Sequence, residues 1–212
     1  STGTINIDGN FLNDVGSRIE IDGNILLKGH WVNNGVGNIN IVSAKSSQVS
    51  FIGTAQQNIG GTTNTIFEKV QLNNSNGVNL QVDATVDSLF NFVFGKVYTN
   101  ANKFIVTNNN NLAITGYDSL RYISGNLRRY VTNTTYWLPL GDDVNYERAY
   151  IDFKQVSGLS YIDIRFNTDN SVVVPPGILV NNKTVNTFLD YGYWTMSPDA
   201  GTFKYDFTVF SK

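Results

Sequence analysis

The 212-residue chain has no cysteine, which excludes disulfides, thiol chemistry and cysteine-based zinc sites. Good helix formers are nearly as scarce: 3 Glu, 7 Ala and 1 Met leave little from which to build a helix. Charged residues make up 15%, against about a quarter in an ordinary soluble domain, and the net charge of −2 supplies no basic field for nucleic acid or an anionic membrane. No run reaches the ~20 apolar residues that span a bilayer, so direct membrane insertion is not expected, and no signal peptide is visible. One histidine, His30, stands beside Trp31. A lone histidine without cysteine cannot build a usual zinc site, nor a Ser-His-Asp triad with redundancy, and it is expected to be a corner residue packed on the aromatic.

What the chain does have is 29 Asn, 19 Thr and 19 Gly, together with many Val, Ile, Tyr and Phe, the residues that fit a pleated surface. An all-β protein follows. High Asn, Thr and Gly with little Lys and Glu point toward an exported surface protein, with an extracellular or bacterial cell-surface location. The opening Ser1, in place of Met, reads as a processed product or an excised piece.

Apolar pairs spaced i, i+2 return at a nearly constant step. Ile19/Ile21 recur as Ile39/Ile41, and Val49/Phe51 recur as Val70/Leu72, then Phe92/Phe94, then Leu112/Ile114. A strand about every ten residues, with the pattern returning every 20–22, fits a parallel β-helix whose coils stack at the ~4.8 Å strand spacing. Inward side chains would then form apolar columns, and stacked asparagines would bond to one another along the corners. On this reading the stretch NNSNG (73–77) is a corner, because Asn and Gly tolerate left-handed backbone. The competing reading is an antiparallel meander, since Asn34-Gly35 and Asn76-Gly77 are also tight hairpin signals. The constant step favours the solenoid, a hairpin protein having no reason to keep one period.

The pattern changes near residue 116, and all four prolines lie beyond it. Longer alternating runs such as YIDIRF (161–166) and FKYDFTVF (203–210) suggest an antiparallel sandwich. The expected organisation is a β-solenoid over 1–115, a transition or cap over 116–135 and a sandwich-like region over 136–212 that ends without a closing strand. Such a region would cover the open end of the solenoid, whose strand edges otherwise recruit other chains.

The run from Gln48 to Val106 carries V-x-F-x-G (49–53), Q-x-I-x-G (57–61), T-x-F (65–67), L-N-N-S-x-G-V-x-L (72–80) and G-x-V-x-T-x-x-N-x-x-x-V (95–106). Together with GNLRR (125–129), WLPLG (137–141) and Tyr193-Trp194, this resembles the repeat region of very large secreted surface proteins of Bacteroidetes-type bacteria, often exported by the type IX route. The resemblance implies an adhesin-like, cell-surface setting, with other domains of the same large protein, surface glycans or a substratum ligand as partners. Its motifs are structural and carry over no catalytic residue. No type IX sorting signal is visible, as expected of a fragment.

Several residues stand out as candidate sites. Asp142-Asp143 is the obvious acidic pair for glycoside cleavage, which needs two carboxylates at a fixed separation. Strand neighbours point to opposite faces, however, and Gly-Asp-Asp is a common turn. Asp142, Asp143 and Asn145, or Asn167 to Asn170, could hold a structural calcium ion, but neither stretch has the spacing of a known ligand loop. No cofactor is expected. Arg121, Arg128 and Arg129 could meet an acidic sugar or simply line solvent. The best hint of binding is aromatic: Tyr136 and Trp137, with Tyr130 near them, and Tyr191, Tyr193 and Trp194 could stack on sugar rings, though Tyr and Trp are equally ordinary core residues. A non-catalytic structural and adhesive segment is the leading reading; a carbohydrate-binding module and a β-helix polysaccharide-degrading enzyme are the alternatives.

Overall fold

A computed structural model describes residues 3–17, 21–35, 47–168 and 192–210, with the backbone of 179–180 and 183–184. Its described residues are all strand, turn and bend, with no helix, and they build a parallel β-solenoid of about six turns. The first coil holds β1 (Thr4–Ile7) and β2 (Phe11–Asn13), and the second β3 (Asn24–Leu27) and β4 (Trp31–Asn33). In the third, β5 (Gln48–Phe51) and β6 (Gln57–Gly61) lead into β7 (Thr65–Asn73), which bends at Glu68 into the fourth coil. There β8 (Val78–Leu80) is followed by β9 (Ala84–Phe94), which bends in the same way into the fifth; β10 (Val97–Val106) then turns a corner within that coil. The sixth holds β11 (Ile114–Thr115) and β12 (Ile123–Tyr130).

The later coils therefore have three faces. On the first, β1, β3, β5, β7, β9 and β11 stack in parallel. On the second, β2, β4, β6, β8, β10 and β12 do so. The third is made by the leading halves of β7 and β9 and the trailing halves of β10 and β12.

Because strand side chains alternate, every second residue of a coil points inward and lands on its counterpart one coil below. On the first face Ile5, Ile25, Val49, Val70 and Phe90 form one column, and Ile7, Leu27, Phe51, Leu72 and Phe92 another. Burying each Val, Leu, Ile or Phe is worth about 1.5–3 kcal/mol, so the columns are the main source of stability. The stacking of Val49 on Val70 agrees with the sequence reading. The pair above them is Phe90/Phe92, one repeat step of 20, and not the expected Phe92/Phe94. A register shift at the end of β7 throws Phe94 outward, where it is 57% exposed. Leu112 is likewise 69% exposed on a turn, and Ile114 sits on Phe90. Ile21 is buried, while Ile19, Ile39 and Ile41 lie outside the described residues.

The NNSNG stretch is a corner, as its composition suggests. Gly77 takes a left-handed φ of 75°, and Asn76 Nδ2 reaches the coil below to donate to the Thr54 carbonyl at 2.8 Å. Asparagines also bond along the stack. Asn79 donates to Asn58 Oδ1 at 3.2 Å, Asn100 to Asn79 Oδ1 at 2.6 Å, and Asn126 to the Asn100 carbonyl at 3.1 Å. Inside, Asn13 donates to Asn33 Oδ1 at 2.8 Å, both side chains being buried. At Gly95, φ of 87° and the Asn74 carbonyl oxygen lying where a Cβ would go leave room for glycine alone.

The parallel ladder continues past residue 115. Ile123 stacks on Val97, and β14 (Leu140–Gly141), which follows β13 (Thr135–Leu138), stacks Leu140 on Ile123. Most of 116–135 thus forms a further coil, and only beyond it does the direction of pairing change. After β15 (Ala149–Ser157), β16 (Tyr161–Thr168) pairs antiparallel with β12. A short hairpin of β17 (Leu179–Val180) and β18 (Lys183–Thr184) precedes β19 (Gly192–Pro198), which pairs with β16. Finally β20 (Thr202–Val209) completes a separate antiparallel sheet in the order β13, β15, β20. The expected sandwich is thus present in part, as this three-stranded sheet, whose inner residues Tyr136, Leu138, Ile151 and Phe153 join the same core as the coils. Trp194 on β19 meets Phe207 on β20, ring to ring at 5.8 Å.

Candidate functional site

The outward column of the second face passes from Asn79 to Tyr98, Ser124 and Gly141. Side chains shrink along it from a phenol to a hydroxymethyl to a hydrogen, which hollows the wall. Strand β16, crossing over from the third face, supplies the opposite side with Arg165, Phe166 and Thr168. The result is a recess of about 440 Å³ that also takes in Asn100, Asp142 and Asp143. Tyr98 lies against the α-carbon of Gly77, where any Cβ would come within 2.9 Å of its ring. Asn100, the one described non-glycine residue with positive φ (53°), is held there by its amide, which donates to Asn79 Oδ1 and to the Leu80 carbonyl.

The acidic pair has two unlike environments. Asp142 accepts from the backbone N–H of Val144 at 2.7 Å and of Asn145 at 2.5 Å, and from Thr168 Oγ1 at 2.9 Å. Partial burial pushes its carboxyl upward, but these bonds outweigh that and hold it below the ordinary carboxylate range. It is the keystone of a turn, and its oxygens are occupied. Asp143 is exposed; its Oδ1 accepts from Ser124 Oγ at 2.6 Å, and its backbone carbonyl accepts from Lys96 Nζ at 2.9 Å. Beneath the turn, Tyr122 is fully buried and donates to the Asp142 carbonyl at 3.0 Å. Burial, reinforced by the nearby carboxylates, pushes its phenol well up.

The aromatic candidates do not form one platform. Tyr136 is 1% exposed, its ring under Arg129 and its hydroxyl donating to the Asn109 carbonyl at 2.8 Å, so it belongs to the core. Trp137, on the opposite face of β13, is 39% exposed, but Arg148 covers its ring at 4.3 Å. Tyr193 is 53% exposed, whereas Trp194 points the other way into Phe166 and Phe207. Tyr191 lies outside the described residues. Tyr130 packs on Tyr161 at 5.3 Å.

The arginines divide three ways. Arg121 pairs with Asp118 at 2.6 Å. Arg128 stacks on Tyr161 and grips Asp163 through Nε at 2.6 Å and Nη2 at 2.8 Å. Arg129, expected at solvent, is 2% exposed. His30 is a corner residue whose Nδ1 accepts from the Asn58 amide at 3.1 Å. Of the calcium candidates, Asp142 is committed to its own turn. No group of three His, Asp or Glu side chains suited to a metal occurs among the described residues, Asn167 donates to Thr195 Oγ1 at 3.1 Å, and Asp169 and Asn170 lie outside them.

Asp163 also accepts from Lys103 at 2.8 Å, so a single carboxylate on β16 ties the antiparallel strand to the coils. Burial raises its pKa, but the bonds and charges of Arg128 and Lys103 outweigh that and hold it below the ordinary 3.8. A carboxyl depressed in this way contributes fully above its unfolded pKa, and the contribution is lost as the pH falls through the folded value. Asp163→Asn is therefore expected to lower stability by about 1–2 kcal/mol at pH 7, the partial exposure limiting the effect. Guanidinium unfolding repeated down to about pH 2 should show the two proteins converging there.

Of the recess, the sequence reading named Asp142, Asp143 and, within the 167–170 stretch, Thr168. Tyr98, Asn100, Ser124 and Arg165 escaped it, because the step from Tyr98 to Ser124 is 26 residues and breaks the 20–22 period that located the columns. No family model, no curated protein and no solved structure matches the chain.

Proposed function

We propose that this chain is a non-catalytic structural and adhesive segment of a larger exported bacterial surface protein, serving as a stiff stalk or display scaffold. The observation that carries the reading is the register of the two inward columns on the first face, unbroken from Ile5 to Phe90 and from Ile7 to Phe92. A stack in which each coil is bonded and packed to the next resists bending and extends without hinges, as a spacer requires. Polar side chains stitch the coils further: Gln57 bonds to three of them. A setting on the cell surface, with glycans or a substratum ligand as partners, follows from the adhesin-like resemblance and the low-charge, Asn-rich surface.

The enzyme alternative has Asp142-Asp143 as its only acidic pair in the recess, and the commitment of Asp142 to its turn speaks against general acid or nucleophile duty. The test is direct. The protein is incubated with a panel of neutral and acidic polysaccharides and new reducing or unsaturated ends are measured. No turnover is expected; turnover abolished by Asp143→Asn would replace the stalk with an enzyme.

A further inference from the structure

We propose that the recess between the Tyr98–Ser124–Gly141 column and strand β16 is a binding site for a neutral, hydroxyl-rich sugar, in the form of a short length of glycan. At about 440 Å³ it falls within the roughly 300–1,000 Å³ that small ligands occupy. Its groups select the chemistry. An anion would meet Arg165 but also two carboxylates, Asp142 and Asp143. A cation would meet Arg165 as a repelling charge, and of the two carboxylates Asp142 already has its oxygens engaged by Val144, Asn145 and Thr168.

What remains uncommitted is mixed. Asn100 uses its amide hydrogens on Asn79 and Leu80, and no described residue donates to its side-chain oxygen. Arg165 forms no ion pair with a described residue, its one bond being a 3.5 Å contact to Asn126 Oδ1. The second carboxylate oxygen of Asp143 and the Tyr98 hydroxyl have no described hydrogen-bond partner either. Acceptors and donors thus stand side by side, and a sugar hydroxyl, which does both, satisfies each in turn. The Tyr98 ring, backed by Gly77, and buried Phe166 give the apolar surface on which the C–H face of a sugar packs. Tyr98 and Ser124 stand on hydrogen-bonded neighbouring strands, so the wall is formed before the ligand arrives. The site is not that of the Trp137 and Tyr193 surface, and it does not depend on the stalk reading: a stiff rod without sugar affinity would leave the proposed function standing and remove this one.

The experiment is calorimetric titration of the full chain with cello-, xylo-, malto- and manno-oligosaccharides, with oligogalacturonate as the acidic comparison. At least one neutral series is expected to bind with Kd of about 1 mM or tighter, and Tyr98→Ala and Arg165→Ala should each weaken it about tenfold or more. Trp137→Ala and Tyr193→Ala should leave it unchanged. Arg165 is exposed, so its variant keeps the parent unfolding midpoint and reports on binding alone even if Tyr98→Ala proves unstable. The proposal is overturned if no neutral sugar binds at about 10 mM, if the acidic oligomer binds in preference, or if affinity survives Arg165→Ala and falls with Trp137→Ala.

Discussion

Gln57→Glu is expected to destabilise the solenoid by about 5 kcal/mol, enough to unfold a protein of ordinary stability at moderate temperature. Gln57 occupies an inward position, at the head of the column Val78, Val97, Ile123 and Leu140. Its amide satisfies four groups at once. Nε2 donates to the Leu27 and Gly29 carbonyls at 2.9 and 2.6 Å, and Oε1 accepts from the Gly53 amide at 2.8 Å and from Asn74 Nδ2 at 3.0 Å. Those partners belong to the second, third and fourth coils, so one buried side chain pins three layers. A carboxylate would keep the acceptor role but set a buried negative charge against two carbonyl oxygens. Gln57→Leu, of similar volume, removes the charge problem but takes a bond from all four groups, for about 3 kcal/mol. The Leu27 carbonyl keeps the Ile52 amide and Asn74 Nδ2 keeps the Ala55 carbonyl, while the Gly53 amide and the Gly29 carbonyl lose the partner Gln57 gave them. Equilibrium denaturation followed by tryptophan fluorescence measures both; a leucine variant within about 1 kcal/mol of the parent would show that the network contributes little.

Arg129→Met should cost about 4 kcal/mol, several times more than the same change at Arg128. Arg129 stands in an inward column of the third face, between Val106 and Ile162. Its guanidinium donates to the carbonyls of Asn108 and Asn110, and to that of Tyr130 at 3.1 Å, and it lies 4.9 Å from the Tyr136 ring. Burial lowers its pKa to about 10, still high enough to keep it charged at neutral pH. No carboxylate among the described residues pairs with it. Carbonyl dipoles and a ring face neutralise the charge instead, and in doing so they fasten the 107–113 turn to the three-stranded sheet. Methionine fills the volume but takes a donor from each carbonyl, leaving that of Asn110 with the Ala113 amide, whereas Arg129→Lys, a point charge lacking the planar fork, should recover only part of the loss. Hydrogen exchange gives a local readout: the Ala113 amide, which donates to the Asn110 carbonyl, should lose protection in the methionine variant and not in Arg128→Met.

These two residues show where sequence reading stops. Alternation places Gln57 with Ile59, and Arg129 with Leu127 and Val131, so their facing was legible from period 2 alone. What argued against burial was chemistry: a lone arginine or glutamine at a core position looks like an error unless its partners are known. Apart from Gly53, Tyr130 and Tyr136, those partners lie 17–30 residues away in other coils or turns, at offsets no local pattern encodes. The Phe92/Phe94 misstep has a related cause. Phe90, Phe92 and Phe94 alternate, so two pairs fit period 2; the true step is 20 residues, and the extra residue in β9 after Phe92 puts Phe94 outside.

By itself, the sequence determined the architecture: all strand, a recurring coil, apolar columns and asparagine corners, although the coil steps run wider than the expected 20–22 residues, with 24 from Ile25 to Val49 and 28 from Trp31 to Ile59. It could do so because strand alternation and coil period are local and repeated, so each coil restates the rule. Tertiary structure alone decided how the coils end and where a ligand could sit. The turn to antiparallel pairing at β16, the carboxylate of Asp163 shared by Lys103 and Arg128, and the recess between Tyr98 and Arg165 each join residues 26 to 67 positions apart. Such contacts occur once, so no period announces them, and their energy depends on burial and geometry that exist only after the coils have closed.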